Sequence, residues 1–249
     1  MQLEQTSAIV TGAASGLGAA TAAALAAQGA RVFGLDLEVG AAPAIQGVTY
    51  VTADVTSVEQ VRAAVAQAAA AGPLRAAVNC AGIGPSARIL GRKGSHDLGL
   101  YAKVIQVNLI GTFTVLTLAA AAIAETEPLE HGQRGVIVNT ASVAAFEGQV
   151  GQAAYSSSKG GVVGLTVPAA RDLAEYGIRV CTIAPGIVDT PMLAAISEEY
   201  RAGLAAGVPF PRRLCRPEEY AQLVGMIIAH DYLNGETIRM DGALRMAPR

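Results

Sequence analysis

Tyr155 and Lys159 stand four residues apart in Tyr155-Ser156-Ser157-Ser158-Lys159. On an α-helix that spacing puts both side chains on one face, one turn from each other, so a phenol and an ammonium can point into one site. The pairing has a chemical use. A tyrosine with an ordinary pKa of about 10 is a poor base near neutrality, and a cation beside it favours the phenolate and brings proton transfer within range. Upstream, Ser142 follows the apolar run Gly135-Val136-Ile137-Val138-Asn139-Thr140. That run reads as a buried strand, and Ser142 falls just past its carboxyl end, the edge at which open α/β sheets bind ligands. The Tyr-x-x-x-Lys spacing also describes many solvated helix faces, so its meaning depends on the elements that would position it.

Those elements begin at Ser7-Ala8-Ile9-Val10, a short apolar run that leads into Thr11-Gly12-Ala13-Ala14-Ser15-Gly16-Leu17-Gly18 and an alanine-rich stretch closed by Gly29. Strand, glycine turn and helix are expected in that order, with Gly29 at the helix C-cap. Glycines at such a turn let backbone approach a pyrophosphate while the helix N-terminus presents free N–H groups to it. The spacing is Gly-x-x-x-Gly-x-Gly, which a ligand-free glycine turn also satisfies. Arg31-Val32-Phe33-Gly34-Leu35-Asp36 then reads as a strand ending in an acid. A carboxylate there accepts hydrogen bonds from the adenine ribose and repels a 2′-phosphate, which selects NAD over NADP. No Lys or Arg lies between Thr11 and Gly18 or directly after Asp36.

Val48 to Val51 predicts a third strand leading to Asp54-Val55. Asp54 either holds the adenine amino group or caps a turn. Ser57-Val58-Glu59-Gln60 has the form of a capping box opening a helix to Ala71. Ala76 to Asn79 predicts a fourth strand, and Cys80-Ala81-Gly82 a turn beneath a cofactor, with Cys80 otherwise a small buried hydrophobe. Further strands are expected at Gly135–Thr140, Arg179–Ala184 and Thr237–Met240, and a helix opened by Pro217. Pro168 is expected to kink the Tyr155 helix or break its register. Alternating strands and helices imply right-handed βαβ units, so the fold class is α/β: a doubly wound parallel sheet, expected as a single domain over residues 1–249.

Composition narrows the function classes. Of 249 residues 52% are hydrophobic and 15% charged, with a net charge of −2. Scattered basic residues without a clustered positive face argue against nucleic acid. Cys80, Cys181 and Cys215 lack a Cys-x-x-Cys, and His96, His131 and His230 are dispersed, so neither a disulfide framework nor a metal site is signalled. Met1 to Thr6 runs into the first strand without a basic or apolar leader, which gives a cytoplasmic expectation. Val104 to Ala124 carries no charge and is long enough to span a bilayer, yet Gln106, Asn108, Thr112, Thr114 and Thr117 are spread through it. A buried helix packed against another subunit, not a membrane segment, is expected.

Thr11-Gly12-x-x-x-Gly16-x-Gly18, Asn79-Cys80-Ala81-Gly82, Asn108, Ser142, Tyr155-x-x-x-Lys159 and Pro185-Gly186 occur in one order across the chain, and together they resemble the short-chain dehydrogenase/reductase family. The resemblance implies a Rossmann-type single domain with helices on both faces of the sheet, Tyr155 as general acid/base, Ser142 hydrogen-bonding the reacting oxygen, Lys159 holding the nicotinamide ribose and lowering the tyrosine pKa, and Asn108 anchoring a water joined to Lys159. It also implies cofactor contacts at Gly12, Ser15, Gly16, Leu17, Gly18, Asp36, Asp54, Val55, Asn79, Cys80, Ala81, Gly82, Tyr155, Lys159, Pro185, Gly186, Val188 and Thr190. This division suits hydride transfer, in which the protein orients the nicotinamide, moves one proton and stabilises charge on oxygen.

A narrower resemblance lies in Gly132 to Gly135, Glu147 to Tyr155, Val208-Pro209-Phe210-Pro211 and Asp241 to Met246. These segments are similar to the type 2 short-chain 3-hydroxyacyl-CoA dehydrogenases, also called 17β-hydroxysteroid dehydrogenase type 10. That group oxidises 3-hydroxyacyl-CoA esters with NAD, accepts some hydroxysteroids and assembles as homotetramers. Ser157 and the Gly91–Gly99 loop depart from its pattern. Gln149 and Gln152 would contact substrate alongside Ser142 and Tyr155, or else cap the helix or bond a neighbouring loop. Arg88, Arg92 and Lys93 would meet CoA phosphates or remain surface charges. Residues 185–213 are expected to form a substrate lid. The competing readings are an NADP-linked 3-oxoacyl carrier-protein reductase, a hydroxysteroid dehydrogenase of the same family, and a non-catalytic dinucleotide-binding sensor or scaffold.

Overall fold

Runs of valine, isoleucine and alanine become strands buried on both faces, and these set the architecture. The computed structural model describes residues 1–92, 94–193 and 197–248. Lys93, named above with the CoA phosphates, and residues 194–196 of the expected lid therefore lie outside the described residues. In chain order come β1 (Ser7–Thr11), α1 (Gly16–Ala27), β2 (Arg31–Asp36), β3 (Val48–Thr52), α2 (Val58–Ala71) and β4 (Leu74–Asn79). A hairpin of β5 (Leu90–Gly91) and β6 (Gly94–Ser95) follows, then α3 (Leu98–Ile105), a π-helical stretch Gln106–Gly111 and α4 (Thr112–Ala124). The last third holds β7 (Gly135–Thr140), α5 (Ala153–Asp172), β8 (Ile178–Pro185), α6 (Glu198–Ala206), α7 (Pro217–Ala229) and β9 (Thr237–Met240).

Seven strands pair in the order β3-β2-β1-β4-β7-β8-β9, every neighbour parallel. Strand direction of addition reverses between β1 and β4, which opens a crevice beyond their carboxyl ends. Alternation along each strand divides the core. Ile9 and Ile137 face the layer of α2, α4 and α5, whereas Val10 and Val138 face α1 and α7. Burying such side chains contributes roughly 1.5–3 kcal/mol each, so the sheet is a stiff platform for whatever stands at its edge.

Three expectations change. The apolar helix through Val104–Ala124 starts at Leu98 and buries one face only: Val104, Asn108 and Val115 are inside, while Ile110 and Phe113 are exposed. Its turn widens at Gln106–Gly111, where Gly111 packs so closely that a Cβ would come within 2.8 Å of Val55. Pro168 does not break α5, which runs unbroken from Ala153 to Asp172. Pro168 and Gly164, whose carbonyl the proline leaves without its helical donor, both lie on the solvent side, where water serves instead. At α2 the capping box is half formed: Ser57 accepts from Gln60 N, but the Gln60 side chain accepts from Asp54 N.

Candidate active site

The crevice at the switch point is a cleft of about 700 Å³, within the size range of cofactor sites. Its floor is the turn after β1. Thr11 Oγ1 accepts from Cys80 N (3.1 Å) and Ala81 N (3.0 Å), clamping the turns after β1 and β4 together. Gly12 takes φ +65°, and a Cβ there would lie 2.9 Å from Ala81 N. Gly18 has no room either, because its Cβ would run into the Gly12 carbonyl. Ser15, the N-cap of α1, spends no hydrogen bond on its own helix and lines the cleft with Gly16 and Leu17. A helix N-terminus with no acidic residue in its first turn leaves free N–H groups for an anion. At the end of β2, Asp36 accepts from Ala14 N (2.9 Å) and Leu37 N (2.8 Å), which fixes the carboxylate with lone pairs to spare toward the cleft.

The opposite wall carries the chemistry. Ser142 lies just beyond β7, nine-tenths buried, its Oγ accepting from Ala144 N at 3.1 Å. The Ser142 side chain stands beside the Tyr155 hydroxyl on the cleft wall. Burial pushes the Tyr155 pKa up and the Ser142 side chain pulls against it. Lys159 is 4% exposed; its Nζ donates to Thr140 O at 2.7 Å and lies 5.8 Å from the Tyr155 ring centroid. Burial lowers Lys159 to about 8, with the nearby Cys80 working in the other direction. Ser142 lowers the Tyr155 pKa, and the Lys159 ammonium expected to do the same faces the ring at 5.8 Å from its centroid. At neutral pH this wall presents a neutral phenol, a hydroxyl and an ammonium, the set needed to exchange one proton with an alcohol or carbonyl oxygen.

Most of the residues expected to hold a cofactor line this cleft: Gly12, Ser15, Gly16, Leu17, Gly18, Asp36, Asp54, Val55, Cys80 to Gly82, Tyr155, Lys159, Pro185, Gly186, Val188 and Thr190. Asn79 instead lies behind it, donating to Asn139 Oδ1 at 2.9 Å. Asp54 takes its capping role, accepting from Thr56 N and Thr56 Oγ1 at 2.8 Å. The Asn108 amide exchanges two bonds with Ile83 (N to Oδ1, Nδ2 to O, both 2.8 Å) and donates to Ser158 Oγ at 3.0 Å. Its side chain is therefore committed to fastening the π-helical stretch to α5 and to the turn after β4. Gln149 and Gln152 also follow the alternative reading. Gln152 Oε1 accepts from Gln149 N, Gln149 Nε2 donates to Ala247 O, and neither residue lines the cleft.

Sequence reasoning missed Leu37, Thr56, Ile83, Lys103, Gln106, Val107, Pro191 and Leu193 on the cleft wall. Lys103, Gln106 and Val107 follow from the α3 helical period once that helix is placed over the β4 edge, a placement no motif signals. Arg88 precedes the β5–β6 hairpin and Arg92 lies in its turn, both outside the lining of the cleft.

A seven-stranded parallel sheet, a glycine turn at its switch point and a Ser-Tyr-Lys wall define a class of dinucleotide-dependent oxidoreductase. Residues 6–201 match the short chain dehydrogenase family, and the chain belongs to it. It is an oxidoreductase that uses a nicotinamide dinucleotide. The 3-hydroxyacyl-CoA dehydrogenase type-2 of Bos taurus is 53% identical over 249 residues, covering 97% of this chain and 95% of the relative. That of Drosophila melanogaster is 51% identical over 253 residues, covering 96% and 97%. The crystal structure of 3-hydroxyacyl-CoA dehydrogenase type-2 from Mycobacterium avium is similar with a TM-score of 0.93 at 45% identity, across 100% of this chain and 99% of that one.

Proposed function

We propose that this protein interconverts 3-hydroxyacyl-CoA and 3-oxoacyl-CoA esters with NAD as its cofactor. The observation that carries the chemistry is the convergence of Ser142, Tyr155 and Lys159 on one wall of the cleft. Asp36, fixed at the end of β2 with Leu37 rather than a cation after it, supports NAD over NADP. The acyl-CoA substrate class is supported by the names of relatives more than half identical over nearly the whole chain.

When bound, the nicotinamide accepts or supplies the hydride. The chain's own residues do the rest. Ser142 donates to the substrate oxygen, which develops negative charge as the alcohol loses its proton. In reduction the Tyr155 phenol gives its proton to the substrate oxygen, and in oxidation the Tyr155 phenolate, the form that the Lys159 charge favours, takes the alcohol proton. Lys159, anchored on Thr140 O, sets a positive charge beside the phenol and leaves two ammonium hydrogens for cofactor hydroxyls. The stretch from Pro185 to Arg213 borders the cleft through Pro185, Gly186, Val188, Thr190, Pro191 and Leu193, and acts as the substrate cover. Assembly as a homotetramer is supported by the exposed apolar Ile110, Phe113 and Val167 on adjoining helices. Three free cysteines suit a cytoplasmic setting.

The test is reduction of acetoacetyl-CoA followed as NADH oxidation, run beside NADPH, a ketosteroid and a small cyclic ketone. Turnover of acetoacetyl-CoA that prefers NADH by at least tenfold is expected. Turnover of another carbonyl with silence on the thioester would overturn the substrate, and a preference for NADPH would overturn the cofactor.

A further inference from the structure

Beneath the cleft, outside the catalytic wall, lies a buried chain of hydroxyl groups that the chemistry above does not use. Tyr220 on α7 is the largest fully buried side chain among the described residues, at 0% exposure. Its hydroxyl crosses the core to Thr140 Oγ1 at 2.6 Å, and Cys80 Sγ lies 3.7 Å from it. Thr140 Oγ1 also donates to Asn79 O at 2.5 Å. A carbonyl only accepts, so the single Thr140 proton goes to Asn79, and the Tyr220 hydroxyl must donate to Thr140. The bonds then run in one direction: Cys80 to Tyr220, Tyr220 to Thr140, Thr140 to Asn79. Burial holds Tyr220 firmly in its phenol form, so the proton it donates is always present.

The location gives this chain a consequence. Register between β4 and β7 ends at Asn79 opposite Asn139, one residue before Thr140. Past that point the Thr140 hydroxyl, bonded to the last carbonyl of β4, replaces the ladder, and Tyr220 braces it from the far helix. The carbonyl of the same Thr140 is the acceptor for Lys159 Nζ. We propose that Tyr220 is a positioning residue for the dinucleotide: its hydroxyl fixes Thr140, and the Thr140 carbonyl holds the Lys159 ammonium in the cleft.

The titratable groups around Lys159 are Tyr155 on its own helix, Cys80 after β4 and, one bond further, Tyr220 on α7. Loosening the Thr140 carbonyl weakens its hold on the ammonium, so Lys159 should lose its proton at lower pH. The test is isothermal titration of the full-length protein with NADH from pH 6.5 to 9.5, comparing Tyr220→Phe, Thr140→Val and Thr140→Ser. Binding is the readout, so the result does not depend on which carbonyl compound is the substrate. Tyr220→Phe keeps the ring and should weaken NADH binding roughly three- to tenfold, on the scale of one buried hydrogen bond. It should also move the alkaline fall in affinity to lower pH. Thr140→Val removes both bonds and should act in the same direction and more strongly, while Thr140→Ser should restore affinity to within about twofold. If both Tyr220→Phe and Thr140→Val lower thermal stability but leave NADH affinity within twofold and its pH midpoint in place, Tyr220 is only a core side chain and the proposal is wrong.

Discussion

The floor and rear wall of the cleft differ in construction from the segments that lie beyond them. Thr11, Asp36, Asn108, Ser142 and Lys159 each make a defined hydrogen bond to backbone at a strand end or in the turn that follows one, and Asn108 and Lys159 are almost wholly buried. Outside the cleft lining, in the segments read as shaping the substrate side, Ile89 and Leu90 at the β5–β6 hairpin and Phe210 in the Pro185–Arg213 stretch are largely exposed, with Phe210 at 81%. Among the described residues the best-defined tie of α6 to its surroundings is the surface pair Arg201–Asp189, a kind of contact worth little in water. The contrast separates two tasks. Proton and hydride transfer need fixed distances, which the sheet edge supplies, whereas choice of substrate is left to segments that can change without disturbing the core.

This division predicts graded effects. Ser142→Ala removes a donor aimed at the reacting oxygen and should lower kcat on the order of a hundredfold, with NADH affinity unchanged by calorimetry. A large loss of NADH affinity instead would mean that Ser142 builds the cleft, blurring the two tasks. Asp36→Ala should shift the NAD/NADP ratio of kcat/KM toward NADP by about tenfold or more, as for loss of a charge-assisted hydrogen bond. An unmoved ratio would remove the ribose contact from the account. For pH the sign follows from the lowered Lys159 pKa of about 8. The ammonium is intact below that value and lost above it, so NADH affinity should be highest below pH 8 and fall as pH rises through it, and Lys159→Met should abolish the step. In the outer segments, Phe210→Ala should change KM for substrate severalfold while leaving kcat within about twofold and stability within about 0.5 kcal/mol. An equal loss of kcat would place Phe210 with the catalytic wall.

The fold was legible because its signals are local. Short apolar runs such as Ala76–Asn79 and Gly135–Thr140, bounded by turn residues, read as buried strands, and the glycines after Ser7–Val10 permit the tight turn that the crowded Gly12 and Gly18 positions require. The reacting residues were legible for the same reason, since Tyr155 and Lys159 share one helix and Ser142 follows one strand. What failed depends on partners distant in sequence. Gln149 binds Ala247, nearly a hundred residues away, and Gln152 turns back to Gln149, so nothing near either residue signals its orientation. Asn108 was legible as an unusual amide in an apolar helix, but its side-chain partners Ile83 and Ser158 come from two other segments and were not. Tyr220 reads as an ordinary core aromatic until α7 is laid across the end of β7. The π-helical widening at Gln106–Gly111 answers to the close approach of Gly111 and Val55, which helical periodicity does not encode.

The most direct test of the central claim, that Tyr155 moves the proton beside a dinucleotide held by the rest of the cleft, is Tyr155→Phe with NADH affinity and acetoacetyl-CoA turnover measured on the same preparation. Turnover should fall by about 10²- to 10⁴-fold, the range for a positioned acid/base, with NADH affinity nearly unchanged. Turnover within tenfold of the parent would contradict the assignment.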